Sequence, residues 1–347
     1  MSLQVTGPGL DFSDAAGVAN LITPEMLTPG HSMYAASIGK TFTAVIALQL
    51  CEEGRLELNA PISAWLADDI TRRIPSSRTI TLHHLLSHTS GLIDYMNDEK
   101  TWRSDFANDP HRQWTHRAVL TYLYDKRPLF APGSDYHYSN SNYILAGVII
   151  ERVTGQPLHA LIRERIIEPL GLQQTFNGQE AVTGHHRAHG YVKWRGRILD
   201  TYPWYSHYGL GDSGMNSTPR DLARFINALF ETDMLLSKVM KQAMTSVSAR
   251  GHPPSDYGLG IYHQHNPWGA GYQWYAHDGI DPGYQADMMY LPDLDLTIVL
   301  AANASMGTAS DVYEKLIRDV VQVALGAVKE TRRKKGTNWI NGYPAKY

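Results

Sequence analysis

The chain has 347 residues, 43% of them hydrophobic, and a formal charge of -3, so it can bury a sizeable core and carries no basic excess to attract a nucleic acid or an anionic membrane surface. Its single cysteine, Cys51, excludes an intramolecular disulfide and a multi-cysteine metal site, and it sits in an apolar run as a small buried hydrophobe would. The opening residues have neither a basic stretch nor an apolar leader core, and the longest apolar runs, such as Ile144 to Ile150, fall far short of the roughly 20 residues a membrane span needs.

The expectation is a cytoplasmic chain as written, or a periplasmic or secreted one if a leader was removed, with no membrane span. Oligomeric state is not legible.

In chain order, Gly9 to Ala19 mixes short β-prone pieces with turn residues and reads as a strand or hairpin. A helix follows the Tyr34-Ala-Ala-Ser37 stretch and runs to Gly54, a natural stop. From about 57 to 250 helical periodicity is broken by Gly, Pro and aromatic loops. After Gly251 the period changes to two, at Tyr257 to Tyr262, Tyr272 to His277, Tyr284 to Leu291 and Leu296 to Ala302, with the turn Pro292 to Asp295 joining the last two. An amphipathic helix, Asp311 to Leu325, closes the pattern, and the basic run Lys329 to Lys335 reads as a solvated tail.

The predicted class is α+β: an antiparallel sheet flanked by helices, built from 1–56 and 251–328, with a mostly helical domain at 57–250 inserted and a tail at 329–347.

Three constellations carry chemistry. Ser37-Ile-Gly-Lys40 places a lysine one helical turn from a serine, so an amine with a lowered pKa can take the hydroxyl proton while the helix start supplies N–H groups for a developing oxyanion. Alone this pair is weak, because both residues are common on helix surfaces. Tyr138-Ser-Asn140 offers a phenol that can pass a proton beside Lys40 and an amide that can hold Lys40 or a substrate. His277-Asp-Gly279 ends a predicted strand, where glycine lets a substrate backbone approach the edge.

In this order and at these separations, Ser-x-x-Lys, Tyr-x-Asn and His-x-Gly resemble the three active-site motifs of the class C-like serine β-lactamase superfamily, which also holds D-alanyl-D-alanine carboxypeptidases and esterases. Leu85 to Leu92, the Pro132-Gly to Gly147 stretch, Gly155-Gln-Pro157 and Gly214 to Ala223 resemble framework segments, and the similarity spans about residues 30 to 325.

The resemblance implies the fold of β-lactamases and penicillin-binding transpeptidases and a serine hydrolase without metal or cofactor, acting on a small-molecule or peptide substrate. Ser37 is the implied nucleophile, Lys40 and Tyr138 the proton-transfer pair, Asn140 the group orienting Lys40 or substrate, and the N–H groups of Ser37 and Ile280 the oxyanion hole. His277 and Gly279 are implied at the substrate. Histidine stands where β-lactamases usually carry lysine, which favours an esterase, D-amino-acid peptidase or carboxypeptidase over a true β-lactamase. A non-catalytic acylated sensor is the third alternative. With a reference pKa of about 6.5, His277 is expected to read a substrate carboxylate mainly below neutral pH.

Other patterns count for less. Gly209 to Gly214 matches the dinucleotide fingerprint but follows a loop, not a strand. His84 and His88 lack the glutamate of a zinc helix, and His185, His186 and His189 have no nearby carboxylate in sequence. The aromatic run Tyr202, Trp204, Tyr205 and Tyr208 reads equally as packing or as cleft lining.

Overall fold

A computed structural model describes residues 1–97, 102–109, 112–178, 186–205, 209–247, 255–265, 271–305, 307–334, 339–340 and 343–344. His185 and Tyr208 lie outside them. Seven strands form one sheet in the order Ser255–Tyr257, Tyr262–His265, Gln273–Asp281, Tyr284–Leu291, Leu296–Ala302, Ser2–Gly7, Leu10–Ala15, with every neighbour antiparallel. The first strand lies beside a late one in it, since Ser2 to Thr6 pair with Ala301 to Thr297.

The strand Leu296–Ala302 is buried on both faces, which is why its sequence is a continuous apolar run. One face, with Trp274, Met289, Ile298 and Leu300, packs on Tyr313, Ile317, Val321 and Leu325 of the last helix. The other, with Met288, Tyr290 and Val299, joins the main core around the helices Gly39–Glu52 and Asn140–Thr154. Both helices are apolar on most of their surface because they lie inside this core.

Three sequence expectations change. Tyr257 to Tyr262 is not one strand: Leu259 donates to the Met244 carbonyl, Gly260 donates to that of Leu86, and a Cβ on Gly258 would lie 2.1 Å from the Met244 oxygen. The backbone leaves the sheet there to touch two helices. The final helix runs Thr308–Lys334 and takes up the start of the basic run. The helix Pro219–Glu231, N-capped by Thr218, lies within 57–250 yet packs on the sheet, where Asn227 bonds Thr6 and Thr297.

Candidate active site

The strand Met33–Tyr34 pairs with Met215–Ser217, and the chain then turns through Ala36, whose φ of 46° is the left-handed conformation a side chain resists. That turn sets Ser37 in a single 3-10 turn ahead of the helix Gly39–Glu52. A Cβ on Gly39 would lie 2.6 Å from the Ser213 carbonyl oxygen, so the loop before Met215 presses on the helix start.

Lys40 is fully buried beneath Ser37. Its Nζ lies 3.0 Å from Ser37 Oγ, 2.7 Å from Asn140 Oδ1 and 2.7 Å from the Asp212 carbonyl oxygen. Asn140, the first residue of the helix Asn140–Thr154, has its orientation set because Nδ2 donates to Asp94 Oδ2 at 2.9 Å. Burial lowers the Lys40 pKa, while the Asp212, Asp94 and Asp281 carboxylates pull it back up. The Tyr138 ring lies 5.0 Å from Lys40 Nζ, and burial raises its pKa well above that of a free phenol, with the Ser37 side chain acting against the rise.

The third motif sits on Gln273–Asp281, which continues past its neighbour Tyr262–His265: the last pair between them is Tyr262 with Ala276. Among the described residues, the strand is unpaired on that side from His277 onward, and the Ser37 turn packs on it at Gly279. A Cβ on Gly279 would lie 2.3 Å from the Ala35 carbonyl oxygen and 2.9 Å from the Ser37 nitrogen. Glycine is needed here for the close approach of the protein's own backbone. Ile280 follows, half-exposed.

His277 does not fit the carboxylate-reading expectation. It is 1% exposed; its Nδ1 donates to the Asp278 carbonyl at 2.7 Å and its Nε2 accepts from the Tyr257 hydroxyl at 2.9 Å. Burial, with the nearby Lys40, pushes its pKa down to about 3. Both ring nitrogens are occupied and the ring is neutral at neutral pH. Asp278, on the opposite face of the strand, is exposed and lines a cavity of about 350 Å³ with Ile280, Asp287, Tyr313 and Glu314.

Several site residues escaped the sequence reading. Asp94, Tyr95 and Asp212 form a buried set around Lys40 and Asn140, with the Tyr95 hydroxyl donating to Asp212 Oδ2 at 2.7 Å. Asp212 lies within the Gly209 to Gly214 match to the dinucleotide fingerprint. Those glycines serve packing: Gly211 donates to His116 Nε2 at 2.8 Å, and a Cβ there would lie 2.4 Å from the Tyr143 carbonyl oxygen. The fingerprint had the right residues and the wrong chemistry.

Of the remaining patterns, His84 accepts from Thr81 in a helix cap, and His189 pairs with Asp200 at 2.6 Å. Tyr205 stacks on Tyr34 at 4.2 Å and Tyr202 on His189 at 4.3 Å, so these two aromatics pack. Burial pushes the Cys51 thiol up to about 12, leaving it unreactive.

The chain matches the beta-lactamase family profile over residues 1–322. The chain belongs to the beta-lactamase family. Within it, the protein is 28% identical to penicillin-binding protein 4* of Bacillus subtilis, covering 91% of this chain and 69% of that longer relative. Among solved structures, a penicillin-binding protein from Bacillus halodurans is 26% identical with a TM-score of 0.80, over 91% of this chain and 95% of that one. The D-amino acid amidase of Ochrobactrum anthropi SV3 complexed with L-phenylalanine amide is 26% identical with a TM-score of 0.79, over 95% and 93%. The mixed helix and antiparallel-sheet architecture is shared with these neighbours. Among the described residues, no helix is long and apolar enough to cross a membrane.

Proposed function

We propose that this family member is a serine hydrolase that acylates Ser37 with the acyl part of an ester or peptide amide and releases it to water. The observation that carries the proposal is the hydrogen-bond set of Lys40. The Asp212 carbonyl can only accept, and Asn140 Oδ1 accepts because its amide nitrogen is committed to Asp94. Lys40 Nζ donates to Asn140 Oδ1, the Asp212 carbonyl and Ser37 Oγ; on losing one proton it keeps the first two bonds and turns a lone pair toward Ser37 Oγ, 3.0 Å away.

In the acylation step Ser37 Oγ attacks the carbonyl carbon and its proton passes to Lys40 Nζ. The N–H groups of Ser37 and Ile280 hold the oxyanion. As the tetrahedral intermediate collapses, the leaving group takes a proton from the Tyr138 hydroxyl, which Lys40 replenishes. The raised Tyr138 pKa keeps the phenol protonated between steps, which suits a relay with Lys40 as the base. Water then repeats the sequence on the acyl-enzyme.

For the acyl substrate, D-amino-acid amides, D-amino-acid peptides and simple esters are the classes to compare. A D-amino acid amidase among the relatives supports the first. The neutral, fully bonded His277 supplies no cation for a carboxylate, which speaks against efficient turnover of β-lactams.

The test is turnover of D-amino-acid amides, D-alanyl peptides, p-nitrophenyl esters and nitrocefin, followed by intact-protein mass. Ser37→Ala is expected to remove turnover and labelling by a fluorophosphonate, and Lys40→Ala and Tyr138→Phe each to lower kcat by on the order of 10²-fold. Labelling at another serine would overturn the assignment. A stable adduct without product release would mark an acylated sensor, and rapid nitrocefin turnover a true β-lactamase.

A further inference from the structure

We propose that His88 is the positioning residue of Tyr138, holding the phenol on the Ser37–Lys40 pair from both sides along the chain. The inference rests on Tyr138 being the proton carrier and adds how that side chain is held. His88 makes two backbone bonds that bracket Tyr138: its carbonyl oxygen accepts from the His137 N–H at 3.0 Å, and its ring Nδ1 accepts from the Ser139 N–H at 3.2 Å. Between these bonds the imidazole lies against the Tyr138 ring, with centroids 4.2 Å apart and planes 36° from parallel.

A second donor, Asn142 Nδ2, also reaches Nδ1, at 3.0 Å. Its orientation is set because Asn142 Oδ1 accepts from the Ser90 hydroxyl. His88, Ser90 and the residues around Tyr138 therefore form one closed network.

The ring's chemistry follows from these donors. A backbone N–H cannot reverse, so Nδ1 carries no proton and the hydrogen of neutral His88 is on Nε2. Protonating the ring would break the Ser139 bond. Nε2 has no hydrogen-bond partner in the described structure and is buried among the Tyr136, Tyr138, Tyr143 and Tyr257 rings. Burial and the nearby Lys40 push the pKa well below the ordinary histidine value.

His88 thus stays neutral and acts through geometry. Its φ of 58° is a conformation that costs a side chain free energy, held here because it delivers carbonyl and ring to the same three-residue segment.

Two variants separate this role from simple support of the fold. Asparagine tolerates the left-handed backbone and places an amide oxygen near the Nδ1 position; glutamine places its amide farther out and loses the Ser139 acceptor. With p-nitrophenyl acetate as the probe, His88→Gln is expected to lower kcat about 10-fold or more with KM within about twofold, and His88→Asn to recover most of that loss. In a Tyr138→Phe background, His88→Gln should cost nothing further.

The proposal is overturned if His88→Gln lowers kcat by the same factor with and without the Tyr138 hydroxyl, if His88→Asn and His88→Gln are equally impaired, or if His88→Gln keeps full kcat. A Tyr138→Phe protein with parent activity would instead remove Tyr138 from the proton path, and this inference with it. Melting curves of each variant separate misfolding from misplacement.

Discussion

The charge state of His277 turns on what surrounds it. At the end of an exposed strand a histidine would titrate near neutrality; here Tyr257 and the Asp278 carbonyl hold both nitrogens in a site closed to water. Its folded pKa of about 3 lies below the unfolded value of about 6.5, so the unfolded chain binds the proton first as pH falls. The stability contributed by the neutral ring is present above about pH 6.5 and is lost as pH falls from there toward 3, at about 1.4 kcal/mol per pH unit. His277→Gln should therefore give a shallower acid-side loss in urea titrations between pH 6 and 4 than the parent. In ¹³C-histidine spectra His277 should not titrate between pH 5 and 8; a midpoint near 6.5 would restore it as a reader of substrate charge.

At the scale of elements, the site depends on the join between the strand Gln273–Asp281 and the start of the helix Gly39–Glu52. No side chain fits between them at Gly279, where a Cβ would overlap Ala35 and crowd Ser37. Gly279→Ala should push the strand from the nucleophile turn, lowering kcat/KM and the fluorophosphonate labelling rate by about 10²-fold, since such misplacement of reacting groups by about an ångström costs that much. The protein should remain folded, because the strand keeps its full pairing with Tyr284–Leu291. Labelling at the parent rate would show that the contact is not tight in solution.

The strand has a second, costly feature. Asp278 and Asp287 face each other across the pair and share a cavity with Glu314. Burial and Asp278 raise the Asp287 pKa to about 7, so stability falls as pH rises from the unfolded value of about 3.9 to about 7, where the folded carboxyl ionises against its neighbour. Asp287→Asn should stabilise the protein more at pH 8 than at pH 5, as urea titrations would show. Equal gains at both pH values would place the effect in packing.

For the whole molecule, the sheet joins the N-terminal strands to the late strand Leu296–Ala302. Ser2–Gly7 supplies Val5 to the core under the last helix and pairs along Leu296–Ala302. Deleting residues 1–16 removes two of the seven strands and exposes the edge of Leu296–Ala302, so the shortened chain should lose cooperative thermal unfolding by circular dichroism. A melt within a few degrees of the parent would show that these strands are peripheral.

The sequence by itself determined what is local. A lysine three residues after a serine at a helix start lies beneath it, the Pro292 to Asp295 turn sits between two strands whose bounds were legible, and Tyr138 and Asn140 stand next to an apolar helix. Only the tertiary structure decided what each group experiences. Asp94 and Asp212 hold Lys40 and Asn140 from loops far away in the chain, His88 brackets Tyr138 across some fifty positions, and His277 is neutral because other segments exclude water from it. Desolvation and hydrogen bonding depend on the distance between groups in space, and short-range periodicity carries no record of which distant segments will arrive.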